Sequence, residues 1–228
     1  MHEPAHARAE ELAEMALSLH EVRSFRETLD RVLEFAVKML GCSHAGIVVT
    51  HEGGRVETMA ATHPLVVDLD AMQVECGEGP DLEPITDRHG VLVPDATREQ
   101  RWPAWARRAA GTGVRSMLGT RLYTTSTVIG SLNVYDTEAD AFDAEDVEVA
   151  HLLARHAAVA MDRARDTEHL WRAINARNLI GQAQGILMER FGIEADQAFA
   201  VLRRYSQDHN IKLHLVAQRL IEKRALPE

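Results

Sequence analysis

The sequence contains too few cysteines to be held together by disulfide bonds. Only Cys42 and Cys76 occur among its 228 residues, and a disulfide framework needs several pairs. Two isolated thiols are typical of a protein in a reducing compartment. We therefore expect both thiols to be reduced and the protein to be cytoplasmic.

Long apolar runs are also missing. The longest stretch without Asp, Glu, Lys or Arg is 14 residues, from Leu122 to Tyr135, whereas a membrane-spanning helix needs about 20 apolar residues. The first residues, MHEPAHARAEELAE, have no apolar segment after a basic start. We therefore expect no signal peptide and no membrane partner.

The motifs of common catalytic and metal centres are absent from the sequence. It contains no HExxH, CxxC or GxSxG motif and no glycine-rich phosphate-binding loop. His151 and His156 are five residues apart in a predicted helix, so they would not share a face. Cys76 lies close to Glu75 and Glu78, and acidic neighbours favour a structural thiol over a reactive one. We expect no enzyme activity, no metal and no cofactor.

A net positive charge is lacking over the chain as a whole, and the net charge is not spread evenly. The net charge is −10. From Thr167 onward there are nine Lys and Arg against seven Asp and Glu, a balance of +2, so the preceding segment carries −12. An acidic body with a basic-leaning tail indicates two modules with different partners, and the tail suits a nucleic acid.

The apolar pattern predicts an α/β domain over the first two thirds of the chain. Two helices fill the first forty residues; Ser24 and Glu27 form a capping box at the start of the second, and Gly41 ends it. Short β-rich runs flank the Gly53–Gly54 pair and, later, residues 124–127, which predicts two hairpins. Two further elements are a short strand at residues 91–95 and a helix at residues 102–113. The fold class is thus an antiparallel sheet with flanking helices.

The remaining sequence is helical. No proline occurs between Phe142 and Arg190, which predicts one long helix with Asp143 as its N-cap. Two shorter helices follow after short joins, so the last sixty residues are expected to form a tightly packed three-helix bundle. Its expected core comprises Leu179, Ile186, Phe199, Leu202, Val216 and Leu220.

An alanine-rich heptad seam runs along the long helix from Ala150 to Ile174. For residues 143–156, packing of a single helix on the chain's own sheet is the better interpretation. Beyond Met161 a helix–helix contact with a second copy is the better interpretation. The seam predicts a parallel homodimer.

The C-terminal segment resembles the ANTAR domain, a small three-helix RNA-binding module. The matching residues occur in order and at the expected spacing. They are Arg177, Ile180-Gly181-Gln182-Ala183, Gly185-Ile186-Leu187-Met188, Arg190, Ala198-Phe199, Leu202-Arg203, Ser206, Asn210, Lys212-Leu213 and Val216-Ala217.

Upstream segments resemble the GAF sensor domain that often precedes an ANTAR domain. The segments are CGEGP, RWPAWARRAAGTGVRSMLGTRL, GSLNVYD and AFDAEDVEVAHLLARHAAVAM. The resemblance implies an N-terminal helix at residues 1–23, a sensor domain at 24–165 and an RNA-binding domain at 166–228. Such proteins are thought to bind hairpins in nascent transcripts as dimers and to prevent transcription termination.

The resemblance and the polar helix faces together define candidate RNA-binding residues. Cations would contact phosphates, and amides or hydroxyls would contact loop bases. The candidates are Arg177, Gln184, Gly185, Arg190, Arg203, Ser206, Asn210 and Lys212. Gly181 and Gly185 share one helix face, which allows close approach either of another helix or of an RNA backbone.

Two positions depart from the family pattern. The family usually carries Lys where this chain has Gln184, so one phosphate-binding charge is missing. The loop after CGEGP often carries a Cys where this chain has Asp81, which argues against a paired-thiol role there.

Two alternatives remain open. One is a small enzyme on the GAF fold, such as a thiol-dependent sulfoxide reductase, which would require reactive thiols at Cys42 or Cys76. The other is a DNA-binding regulator, although the bundle has no evident recognition helix rich in Arg, Asn and Gln near its N-terminus. The ligand pocket of the sensor domain, if it has one, cannot be assigned to residues from the sequence, and Trp102 with Trp105 is interpreted as core packing.

Overall fold

A computed structural model describes residues 3–22, 24–51, 55–82, 90–125 and 127–223. The chain divides into two compact units, Met1–Arg165 and Asp166–Glu228. Each unit has its own hydrophobic core, and each is considered separately below.

The first unit is built on a five-stranded antiparallel sheet. The strands are β1 (His44–Thr50), β2 (Val56–Ala61), β3 (Val91–Val93), β4 (Ser116–Tyr123) and β5 (Val128–Asp136). Their order is β2-β1-β5-β4-β3. The two predicted hairpins are confirmed, with Ile47 opposite Ala60 in one and Thr120 opposite Leu132 in the other. The Gly53–Gly54 turn lies outside the described residues.

Three helices cover one face of this sheet. They are α1 (Glu3–Glu21), α2 (Phe25–Leu40) and the first part of α5 (Ala144–Phe191). Ser24 caps α2, since its Oγ accepts a hydrogen bond from the Glu27 N–H at 3.1 Å. Gly41 ends the helix at φ +61°, a conformation that glycine adopts without strain. Asp143 caps α5 by accepting from the N–H groups of Glu145 and Asp146.

The opposite face of the sheet carries a second core. Successive strand residues point to opposite faces, so Leu118 packs with α2 and α5 while Met117 packs with α3 (Pro64–Cys76) and α4 (Pro103–Gly111). Trp102 and Trp105 are both buried in this second core and meet edge-to-face at 6.4 Å. Their interpretation as core residues is confirmed.

The heptad seam on α5 requires a correction. Ala150, Leu153 and Ala157 are fully buried in the core of the first unit, next to the sheet and α2. They are therefore not available to a second copy of the chain. The exposed large apolar residues between Ala150 and Ala160, Leu152 and Val159, lie outside the predicted seam.

The second unit contains the end of α5, α6 (Ala195–Asp208) and α7 (Leu213–Lys223). Gly192 ends α5 at φ +63°, and Glu194 with Gln197 forms a capping box at the start of α6. The fully buried core is Ala183, Leu187, Ala198, Leu202, Val216, Ala217 and Leu220.

The expected core of this bundle is correct for Leu202, Val216 and Leu220, and Leu179 and Ile186 are half-buried. Phe199 is an error of the sequence analysis, because its side chain is 37 % exposed. The core face of α6 is formed by Ala198, Leu202 and Tyr205, and Phe199 lies about 100° around the helix from Ala198.

None of the helices in the part of the chain that the structure describes is long and apolar enough to cross a membrane.

Candidate functional site

Three cations on the second unit are exposed and can bind an anion from outside the chain. Arg177 lies on α5, Arg203 on α6 and Lys212 immediately before α7. Among the described residues none of these three side chains has a hydrogen-bond or ion-pair partner. In contrast, the neighbouring Arg204 lies 3.6 Å from Asp208 in an i,i+4 ion pair. The three cations can therefore meet an anion without breaking a contact within the chain.

One face of α5 combines a cation with two exposed glycines. At about 100° per residue, Arg177, Gly181, Gln184 and Gly185 fall within an arc of roughly 100°. A Cβ atom placed on Gly181 or Gly185 would have no other atom within 4 Å. Packing of helices within the described bundle therefore does not explain the two glycines. They leave a strip of bare backbone open to an external partner.

Gln184 has a contact that the sequence did not indicate. Its Nε2 donates a hydrogen bond to the carbonyl of Ala195 at 3.1 Å, joining α5 to the first turn of α6. The side chain is half-buried rather than free. Gln184 thus positions α6 against α5 on the same face that carries Arg177.

Arg190 lies on a different side of α5 from Arg177. Thirteen residues at about 100° each place it roughly 140° away. Its guanidinium lies over the ring of Phe191, 5.9 Å from the centroid. Arg190 and Arg177 therefore do not share a face of this continuous helix.

Ser206 and Asn210 shape the join between α6 and α7. The Ser206 hydroxyl donates to the Ile211 carbonyl at 2.6 Å, and the Ser206 carbonyl accepts from the Ile211 N–H. Asn210 adopts φ +51°, a conformation that Asn tolerates better than most residues. Both residues hold the turn that presents Lys212.

The sequence analysis missed an aromatic residue on the exposed side of α6. Phe199 and Arg203 are four residues apart and are neighbours on the helix surface. A flat ring beside a guanidinium suits a stacked base next to a phosphate. The i,i+4 spacing of Phe and Arg was the available signal. Tyr205, by contrast, is half-buried and stacks on His209 at 4.0 Å.

The first unit contains a buried polar cluster at the centre of its sheet. Asp81 accepts hydrogen bonds from Gln73 Nε2, Ser131 Oγ and Asn133 Nδ2 at 2.7, 2.5 and 2.7 Å. Burial raises the pKa of the Asp81 carboxyl, and its three donors oppose that effect. The Asn133 Oδ1 atom is buried and has no hydrogen-bond partner among the residues that the structure describes.

A second buried carboxyl lies in the same cluster. Asp70 accepts from the Thr58 hydroxyl at 2.5 Å and from the Tyr135 hydroxyl at 3.4 Å. Burial, with a smaller contribution from Asp81, raises the pKa of Asp70 to about 7. The pKa of Tyr135 is also raised, mainly by burial. The cluster therefore holds two acids that are harder to ionise than usual.

Two family models match the chain. Residues 168–221 match the ANTAR domain and residues 22–162 match the GAF domain, the latter covering more than half of the sequence. The chain belongs to the GAF family and carries an ANTAR domain. The exposed cations and glycines described above thus lie on the ANTAR domain, and the buried polar cluster lies in the GAF domain.

Solved structures show the same fold for the GAF domain. A domain of a two-component sensor histidine kinase protein from Sinorhizobium meliloti 1021 is 18 % identical, with a TM-score of 0.54, over 66 % of this chain and 99 % of that one. The GAF domain of a phosphoenolpyruvate-protein phosphotransferase from Coxiella burnetii is 17 % identical, with a TM-score of 0.55, over 71 % and 96 %. No curated protein matches the sequence.

The two thiols of the GAF domain have different surroundings. Cys42 is buried, and burial raises the pKa of its thiol to about 12. Cys76 is partly exposed at the end of α3, where Arg108 lies 3.7 Å from its sulfur and 2.7 Å from Glu75. The cation at Cys76 was not visible from the sequence, which showed only acidic neighbours. Among the described residues no cluster of three His, Cys, Asp or Glu side chains could hold a metal ion.

Proposed function

We propose that the protein is an RNA-binding regulator of transcription termination whose GAF domain receives a signal. The observation that carries this proposal is the set of three exposed cations on the ANTAR domain, Arg177, Arg203 and Lys212, none of which has a partner among the described residues. They lie in the part of the chain from Thr167 onward, which has a balance of +2, whereas the preceding part carries −12. An RNA hairpin supplies phosphates for these cations.

The proposed RNA-binding surface contains residues that contact RNA and residues that hold those residues in position. Arg177, Arg203 and Lys212 contact phosphates, and Gly185 together with Gly181 lets the backbone of the RNA approach α5. Gln184, Ser206 and Asn210 act mainly through the positions they give to their neighbours, because their side chains or backbone are engaged within the bundle. Arg190 contributes from another side of α5.

The expected consequence of binding is antitermination. A hairpin held by the protein in a nascent transcript cannot take part in the alternative pairing that forms a terminator. We place the RNA-binding domain at residues 166–228, the sensor domain at 24–165 and an N-terminal helix at 1–23. The boundary after residue 165 coincides with the division of the chain into two compact units.

We also propose that the protein acts as a homodimer through the helix from Ala150 to Ile174. The contact cannot use Ala150 or Ala157, which are buried. Between Ala150 and Ile174 the large exposed apolar side chains are instead Leu152 and Val159 in the GAF domain and, further along, Leu170, Trp171 and Ile174. Exposed apolar residues of this size are typical of protein contacts.

The alternative of a thiol-dependent enzyme has one observation in its favour, the arginine beside Cys76. Cys42 is buried with a raised thiol pKa, so the two cysteines do not form a reactive pair. A cytoplasmic regulator without catalytic activity accounts better for the two domains.

The proposed function is tested by crosslinking the protein to RNA in cells and sequencing the bound fragments. Hairpins recovered in this way are then used as probes, in competition with duplex DNA of the same sequence. We expect hairpins to displace the probe and duplex DNA to do so poorly. Transcription through a terminator downstream of the hairpin should increase on addition of the protein. Equal competition by duplex DNA, or unchanged termination, would overturn the proposal.

A further inference from the structure

The GAF domain contains a half-open cavity on the face of its sheet that α2 and α5 cover. Its volume is about 310 Å³, at the lower end of the range of small-molecule sites. The cavity lies between the start of α2, strands β1, β2 and β5, and α5. Its lining residues Ile129 and Met161 belong to the core shared with α2 and α5. The buried polar cluster of Asp81 packs with the other face of the sheet, so the two sites are separate.

The floor of the cavity is apolar. Ile129 and Met161 are buried beneath it, and Phe25, Val49 and Met59 line its walls while remaining half-buried. Met161 in the floor and Met59 in the wall have flexible side chains, so the cavity can adapt to different aliphatic or aromatic shapes. This part of the site selects an apolar group of limited size.

The rim of the cavity carries two ion pairs on different walls. On the strand side, Glu57 Oε2 lies 2.7 Å from His51 Nε2, a pair that is ionic when the histidine is protonated, and 3.6 Å from Nη2 of Arg55, which lies outside the cavity lining. On the helix side, Arg165 Nη2 lies 3.3 Å from Asp162 Oδ1. All four lining side chains are partly exposed, so exchange of one partner for a ligand group costs little.

These charges restrict the ligand more than the floor does. A ligand with a single negative charge is attracted by Arg165 and Arg55 but repelled by Glu57 and Asp162. A ligand with a single positive charge is attracted by Glu57 and Asp162 but repelled by the same cations. A zwitterion adds a carboxylate to one pair and an ammonium to the other and leaves the local charge balanced.

We propose that this cavity binds a free α-amino acid with an aliphatic or aromatic side chain. The side chain lies on the floor of Ile129 and Met161 and against Met59 in the wall. The α-carboxylate contacts Arg165, and the α-ammonium contacts Glu57. The ligand then touches α5, the helix that continues into the ANTAR domain. Ligand binding is measured directly in the test below, so its outcome does not depend on RNA binding.

The experiment is isothermal titration of the full chain with L-leucine, with 4-methylpentanoate, which lacks the ammonium, and with 3-methylbutylamine, which lacks the carboxylate. Each missing charged hydrogen bond should weaken binding by about tenfold or more. L-Serine, with both charges but no apolar side chain, should bind more weakly than L-leucine by about as much. Leucine binding no tighter than that of the two singly charged analogues, or no binding of leucine at millimolar concentration, would overturn the proposal.

Two variants locate the binding. Met59→Trp fills the cavity, and Glu57→Gln removes an exposed rim charge with little risk to folding. Both should reduce leucine affinity by about tenfold. Arg163→Gln is the control, because Arg163 lies on α5 but faces His20 at 2.7 Å rather than the cavity. Circular dichroism confirms that the variants are folded. If Glu57→Gln binds leucine as the wild type does, the cavity is not the site.

Discussion

The Asp81 carboxylate accepts a hydrogen bond from Asn133 Nδ2 at 2.7 Å, across 52 residues of sequence. The same carboxyl group also accepts from Gln73 and Ser131. It thus ties the segment after α3 to the centre of strand β5. Asp81 stands where related loops often carry a cysteine, and in this chain the position is occupied by a buried hydrogen-bond acceptor.

Loss of Asp81 should therefore destabilise the GAF domain. Asp81→Ala leaves three buried donors, on Gln73, Ser131 and Asn133, without their acceptor. Each unsatisfied buried group costs about 1–3 kcal/mol, so we expect a loss of at least about 2 kcal/mol in urea unfolding. Asp68→Ala, at an exposed position of α3, is the matched control and should change little. Equal stability of the two variants would contradict the role given to Asp81.

The second prediction concerns pH and Asp70. Its pKa is raised from 3.8 to about 7 by burial, so between these values the folded state binds more protons than the unfolded state. The contribution of this group to stability is complete below about pH 4 and is lost as the pH rises through about 7. Asp95, whose pKa is lowered by Arg115, acts in the opposite sense, so the wild-type curve alone is not diagnostic.

The variant Asp70→Asn isolates the effect of that group. Thr58 and Tyr135 donate to different oxygens of Asp70; asparagine keeps one of these two acceptors and cannot ionise. Loss of the other hydrogen bond shifts the stability at every pH alike. We expect its stability relative to the wild type to increase between pH 5 and pH 8, measured as the midpoint of urea unfolding in a series of buffers. A pH-independent difference between the two proteins would show that Asp70 titrates normally.

Some features of this fold are visible in the sequence because they are local. The cap at Ser24 and the end of α2 at Gly41 depend on residues within one turn of each other, and each hairpin depends on two adjacent runs. The seam on α5 is different. Alanines at Ala150 and Ala157 suit the chain's own sheet and a second helix equally well, and only the tertiary structure shows that the sheet covers them.

Part of the candidate site could be predicted from the sequence because it depends on local features. Arg177, Arg203 and Lys212 are charged and lie at motif positions, so their exposure follows from composition and pattern. The hydrogen bond from Gln184 to Ala195 crosses between helices. The exposure of Phe199 depends on the rotation of α6 about its axis. Neither can be read from helical periodicity, which fixes which residues share a face but not where that face points.

The third prediction uses Gly181 and Gly185. A glycine in a helix costs about 1 kcal/mol relative to alanine, and a Cβ at either position meets open space. Gly181→Ala and Gly185→Ala should therefore each stabilise the ANTAR domain by about 1 kcal/mol, as measured by thermal unfolding. If RNA approaches this strip of backbone, both variants should bind hairpins more weakly in spite of their greater stability.

Asn175→Ala is the control for these glycine variants. Asn175 is exposed on the same helix but lies on its other side, about 160° from Arg177. The substitution also raises helix propensity. We expect greater stability with unchanged RNA affinity. Weaker RNA binding by this variant as well would show that helix stiffening, rather than backbone access, causes the effect.

The fourth prediction compares an exposed residue of α5, which can form a dimer contact, with a buried one, which cannot. Val159 is 62 % exposed and Ala157 is fully buried, although they are two residues apart. Val159→Glu should dissociate the dimer and leave the GAF domain folded, as seen by sedimentation and circular dichroism. Ala157→Glu should unfold the domain because it buries an unpaired charge. A dimer that survives Val159→Glu would place the contact elsewhere.

The last prediction tests the electrostatics of RNA binding through its dependence on salt. Each phosphate neutralised on single-stranded RNA adds about −0.7 to the slope of log affinity against log salt. Arg177, Arg203 and Lys212 have no partners within the described part of the chain, so their contacts with phosphates should give a slope of roughly −2. Arg203→Ala should flatten the slope by about 0.7 and weaken binding of different hairpins to a similar extent. Gln184→Lys restores the charge usual in the family and should steepen the slope.

Arg204→Ala provides the matched control for Arg203→Ala. Arg204 is the next residue on α6, but it lies 3.6 Å from Asp208, so its charge is already balanced within the chain. Its loss should leave the salt slope unchanged. If Arg203 instead supports the bundle, Arg203→Ala would lower the melting temperature at an unchanged slope. A slope close to zero for the wild type and all variants would contradict RNA binding through the ANTAR domain, because exposed cations that meet phosphates must release counterions.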